Sequence, residues 1–155
     1  MMRRIGVGAL AYLVPTFVLG FVWHLVAFKS YYEALDIYRR DVIIPFGFLA
    51  MTLQGALFAW VLDTTFAREH VSLWRRGLSF AAFGAVLSWS FTTLSVAAKN
   101  VMSSVPDYFL IETAFTIVQW ALVGPLMALA LARVHSGVSL SPISPPKPRH
   151  DSKAD

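Results

Sequence analysis

Cysteine is missing from all 155 residues, which removes disulfides, thiolate metal sites, iron–sulfur clusters and any thiol nucleophile together. Charge is scarce too: Asp, Glu, Lys and Arg make up 14% of the chain, against about 25% in an ordinary soluble domain. Phosphate-cradling glycine loops, a Gly-x-Ser-x-Gly elbow and zincin spacings are absent, so the chain carries no enzyme signature. The four histidines stand at 24, 70, 135 and 150, without the i, i+3 or i, i+4 spacing that sets two metal ligands on one helical face. Paired membrane histidines for a haem are missing as well. The sequence therefore implies neither metal nor cofactor.

What the chain has is hydrocarbon. Apolar residues reach 57% and mean hydropathy is +0.61, which places the chain in the membrane class. Four apolar stretches, 5–28, 42–62, 78–98 and 109–133, meet the roughly 17–25 residues that a bilayer core demands of a helix. Lipid offers backbone N–H and C=O groups no partner, so helices are the element expected. The fold class that follows is all-α, a four-helix transmembrane bundle running up-down-up-down over residues 1–135. The first stretch, after Arg3 and Arg4, is too long for a signal-peptide core and reads as a retained signal anchor. Residues 136–155, with "SPISPPKPRH", are too polar and proline-rich to bury a core and read as a disordered tail.

The basic residues set an orientation. With four crossings both termini share a side with the connection "DTTFAREHVSLWRRG", and that side holds nine of the 13 Lys and Arg residues. The other side holds Lys29, Arg39, Arg40 and Lys99. By the positive-inside rule both termini lie in the cytoplasm of an inner (plasma) membrane. This bias accounts for the formal charge of +4 without nucleic acid as a partner. The lipid bilayer is the implied partner, with a homo-oligomer or a second membrane protein left open.

Polar residues within the spans fall on stripes. Glu112, Thr116 and Gln119 share one helical face, and Ser88, Thr92, Ser95 and Lys99 share another. The second span offers Gly47, Met51, Gln54 and Gly55, and the first offers Thr16, Gly20 and His24. An ionisable group at the bilayer centre costs about 2.5–3.5 kcal/mol, so such groups turn inward or pair. A Glu112–Lys99 pair is the expected relief, with His24 at similar depth. The stripes admit a structural reading, hydrogen bonds between helices, and a functional one, an outward-facing pocket formed by His24, Gln54, Lys99, Glu112, Thr116 and Gln119.

Between the first two spans, "KSYYEALDIYRRD" repeats aromatic and apolar residues at helical spacing, which predicts a short interfacial helix, either an aromatic belt or a lid. Pro15 and Pro125 lie inside spans and are expected to bend them. "FVWHLVAFK" and "FTTLSVAAK" match at an offset of 70, and "GALFAWVL" and "GPLMALAL" at 69, which raises two tandem helical hairpins as the arrangement.

"FVLGFVWHLVAFKSYYEAL", "IPFGFLAMTLQG" and "IETAFTIVQWALVG" together resemble the pattern of small bacterial four-helix integral membrane proteins of unknown function, over residues 14–130. The resemblance implies a four-helix inner-membrane fold and transfers no activity. Function at this level is a binding or accessory membrane component. The alternatives are a small oligomeric transporter or channel subunit and a membrane enzyme acting on a lipid or quinone.

Overall fold

The computed structural model describes residues 1–39, 43–66 and 71–136. Among them it is all helical, with no strand: α1 Met2–Ala27, α2 Lys29–Leu35, α3 Ile44–Phe66, α4 Leu73–Lys99 and α5 Val105–Ser136. The four long helices are each apolar enough to cross a membrane, as a multi-pass membrane protein requires. The 136–155 tail, beyond its first residue Ser136, lies outside the described residues, as do Arg40 and residues 67–70 of the middle connection.

At their charged ends the helices run past the apolar stretches that mark them: α1 begins at Met2, α3 ends at Phe66, and α4 and α5 exceed theirs at both ends. A hydropathy window stops at Arg3 and Arg4, Asp63, Arg75 and Arg76, or Asp107, whereas the backbone ladder continues through charged turns wherever caps or partners allow. Arg4 Nη1 lies 3.7 Å from Asp63 Oδ2, tying the start of α1 to the end of α3. Ser72 caps α4 by accepting the Arg75 N–H at 3.4 Å, and Ser104 does the same for Asp107 on α5 at 3.4 Å. Pro45 sits in the first turn of α3, where its missing N–H does no harm. Pro15 and Pro125 are both carried within continuous helices.

α5 is the hub: 44% of its apolar window is buried, against 17–22% for the other three. It packs along α4 on one side and α1 on the other, and α1 in turn packs along α3. Small residues bring these helices close, as membrane helices require where hydrophobicity drives no association. A Cβ on Gly8 would stand 2.7 Å from Ala59 Cβ, and one on Gly77 would stand 2.8 Å from Pro125 Cα and 3.5 Å from Ala128 Cβ. Gly55 faces Ala9 and Tyr12 of α1, and Gly124 faces Ala81 and Gly77 of α4. The α1–α3 crossing thus reappears 69 residues later as the α4–α5 crossing, with Gly8, Tyr12, Gly55 and Ala59 matched by Gly77, Ala81, Gly124 and Ala128. Tyr12 of the first crossing, with Phe58, Phe80 and Trp120, forms a tilted and edge-to-face aromatic cluster with neighbouring centroids 4.8–6.1 Å apart.

The bundle is not closed evenly. α3 meets α4 at the end marked by Phe58 and Phe66 of α3 against Phe80 of α4. Away from that end the two part, and residues 44–50 of α3 are all exposed. Among the described residues, wide π turns end α1 at Val22–Ala27 and α3 at Leu62–Phe66, and one lies within α4 at Ser90–Leu94. Such a turn holds one residue more than an α turn, so the helix beyond the α4 turn presents a face rotated by about 100°.

The close crossings give a direct test. Gly77→Ala should cost about 1–2 kcal/mol, since overpacking against Pro125 backbone outweighs the helix-propensity gain. Gly47→Ala, with nothing within 4 Å of the added carbon, should be neutral or stabilising. Thermal unfolding of the two variants in the same detergent checks the contrast.

Candidate functional site

The gap between α3 and α4 opens into a cavity of about 500 Å³ lined by all four long helices. Its polar wall is supplied by Thr16, Gly20 and His24 of α1, Gln54 of α3 and Glu112, Thr116 and Gln119 of α5. Five of the six residues singled out from the sequence, His24, Gln54, Glu112, Thr116 and Gln119, therefore share one space.

Lys99 does not. It is exposed and lines no part of the cavity, and the expected Glu112–Lys99 pair is replaced by Glu112–His24. The π turn at Ser90–Leu94 is the physical reason. Ser88 and Thr92 reach the cavity, but the extra residue rotates Ser95 and Lys99 off that face and turns Thr93 fully inward.

Glu112 is 9% exposed and its Oε1 has two partners. The Tyr32 hydroxyl donates to it at 2.8 Å, and His24 Nε2 lies 3.3 Å away. The other imidazole nitrogen, Nδ1, lies 2.9 Å from the Gly20 carbonyl oxygen. A carbonyl only accepts, so Nδ1 carries a proton. The contact between Nε2 and Oε1 then needs one further proton, resident on either the imidazole or the carboxyl. In both forms the pair is electrically neutral. His24 itself sits in the π turn of α1, between the Tyr32 and Phe115 rings at 4.7 and 4.6 Å. Such turns recur at functional sites because they push one side chain out of helical register.

Tyr32 reaches Glu112 because α2 docks on the bundle instead of floating in the headgroups. Tyr32 and Leu35 are buried against Tyr108 and Ile111 of α5. The last carbonyls of α2 are taken by the α4–α5 connection: Ser103 N donates to Leu35 O at 3.1 Å, and Ser103 Oγ to Ala34 O at 2.6 Å. Asp36, at φ 53°, ends the helix in the left-handed region. Burial, and then the neighbouring Glu112 carboxyl, raise the Tyr32 phenol well above the ordinary tyrosine range, so it stays a donor. The sequence marked this segment as a belt or lid but gave no sign that Tyr32 contacts the buried carboxyl.

Deeper in the cavity, Tyr12 donates to Gln54 Oε1 at 3.0 Å, and Gln119 Nε2 donates to Thr16 Oγ1 at 3.4 Å. One amide atom of each glutamine is left without a partner among the described residues. Trp120 and Trp89 pin α4 to α5 through Ser88 Oγ and Thr113 Oγ1, both at 2.9 Å, and Trp120 forms part of the aromatic floor. Among the described residues no three His, Asp or Glu side chains gather as a metal ion would require.

The arrangement can present hydrogen-bond donors and acceptors within hydrocarbon and hold one mobile proton between an imidazole and a carboxyl. No family model matches the chain, and neither a curated protein nor a solved structure does.

Tyr32→Phe should cost about 1–3 kcal/mol, because a buried carboxyl oxygen loses a donor. The folded phenol titrates above its unfolded value, so this contribution should be complete below about pH 10 and decline as pH rises further. Thermal unfolding of wild type and variant across that range measures both effects.

Proposed function

We propose that this is an intramembrane binding protein whose cavity takes the polar end of an amphipathic molecule while its hydrocarbon part lies in the gap between α3 and α4. One observation carries the reading. A single cavity joins unpartnered amide atoms and the Glu112–His24 pair to an opening flanked by Met51 and Leu57 on one side and Leu87 and Phe91 on the other. Hydrogen-bonding atoms left open in hydrocarbon cost free energy until water or a ligand meets them. The positive-inside bias supports placing both termini in the cytoplasm and the cavity in the outer leaflet. The resemblance of its motifs to those of small bacterial four-helix membrane proteins supports a bacterial inner membrane as its place.

A second reading, an enzyme acting on a lipid or quinone, draws support from His24 and Glu112 lying within hydrogen-bond reach in that cavity, as an acid–base pair must. A transporter or channel subunit would need a second copy to enclose a path. The exposed apolar arm of α3, with Ile44, Phe46 and Leu49, offers room for one.

Gly20 lines the cavity and an added Cβ there meets nothing within 4 Å, so the side chain of Gly20→Phe starts into open space and is expected to occupy the cavity. Native mass spectrometry of wild-type protein released from membranes should detect a bound small hydrophobic molecule that the folded Gly20→Phe variant lacks. Identical adducts on both proteins would contradict the binding reading.

A further inference from the structure

The charge inventory of the cavity narrows what it can hold. Among the described residues no Lys or Arg lines it. Lys99 is exposed outside it, and Lys29 lies on α2, 3.6 Å from Glu33. Of the ionisable groups that do line it, the Tyr12 hydroxyl is a neutral donor to Gln54, and Glu112 and His24 share one proton and sum to zero charge.

An anionic head would meet a carboxyl group with no cation beyond an imidazole already committed to it. A cation would need a free carboxylate, and Glu112 supplies one only if the pair gives up its shared proton and His24 Nε2 is left with its lone pair facing Oε1. Either charge would be carried from water into low dielectric without a counter-charge. An uncharged head meets no such penalty. Its oxygens find the amide atoms left open on Gln54 and Gln119, which between them offer both donor and acceptor capacity. The gap flanked by Leu57 and Phe91 is apolar, and the α3 surface beside it, at Leu49 and Leu53, is exposed where acyl chains lie.

We infer that the cavity selects an uncharged head bearing carbonyl or hydroxyl oxygens on a hydrocarbon tail, and excludes anionic lipids and lipophilic cations. The inference rests on the binding reading above and adds the charge class of the ligand. Two membrane sources carry that chemistry: isoprenoid quinones or quinols, and diacylglycerols. The neutrality of the Glu112–His24 pair, held by the Gly20 carbonyl on one side and Tyr32 on the other, is what sets the selectivity.

The test uses the full chain in nanodiscs of zwitterionic lipid, titrated with four probes: a short-tailed benzoquinone, dioctanoylglycerol, dioctanoyl phosphatidylglycerol and tetraphenylphosphonium. Binding is read from tryptophan fluorescence and isothermal calorimetry, in wild type and Gly20→Phe. At least one neutral probe should bind saturably and lose that binding in Gly20→Phe, and the stronger of the two identifies the source. The anionic and cationic probes should bind roughly a hundredfold more weakly, the factor that an uncompensated charge in a membrane interior implies. Comparable or tighter binding of either charged probe, abolished by Gly20→Phe, would overturn the charge inference and leave the cavity standing as a binding site. Saturable binding of neither neutral probe would also overturn the inference. If every probe binds both proteins alike, the binding reading itself fails.

Discussion

Hydrocarbon gives a hydrogen-bonding group nothing to bond to, and the placement of polar side chains in this bundle follows from that constraint. Glu112 is the most demanding case. It is nearly buried, and its carboxyl is met by an imidazole from α1 and a phenol from α2. Gln119 meets Thr16, Tyr12 meets Gln54, and two tryptophans spend their indole N–H groups on hydroxyls of the neighbouring helix. These contacts join α1 to α3 and α5, and α4 to α5. The open amide atoms of Gln54 and Gln119 belong to the cavity wall, whereas Trp23 Nε1 and Thr93 Oγ1 are buried without a partner outside it.

The two halves of the chain use one device. Gly8 and Gly77 each admit the Ala of a Gly-x-x-x-Ala step on the following long helix, and the corresponding residues stand 69 positions apart. In each half the first long helix also carries a π turn near its far end. The halves then diverge. α1 packs along α5, whereas the corresponding approach of α4 to α3 is confined to the end held by Phe58, Phe66 and Phe80. The cavity is the space left where that second contact does not form. Its opening is a consequence of unequal packing between two similar helix pairs.

Much of this is legible in the sequence because hydropathy and the 3.6-residue period are strong signals. The four spans, the inward face of Glu112, Thr116 and Gln119, and the alignment of Thr16, Gly20 and His24 all follow from spacing. Lys99 shows where spacing fails. A regular period carries Ser88, Thr92, Ser95 and Lys99 along one face, but the π turn inserts a residue that no composition rule announces. Helix ends are less legible than apolar stretches for a related reason, since hydropathy registers charge while helix propagation depends on caps and ion pairs such as Arg4–Asp63. Tyr32 was invisible as a partner of Glu112 because 80 residues separate them, and its reach depends on Ser103 anchoring the end of α2.

In the cavity wall His24 and Glu112 face one another and hold a single proton between them. Nitrogen-15 magnetic resonance of the labelled protein in nanodiscs tests it, with the His24 signals identified by their loss in His24→Asn. Nδ1 should be protonated, and the Nε2 shift should move when Glu112 is replaced by Gln. A His24 ring protonated at Nε2 alone, or one indifferent to that replacement, would contradict it.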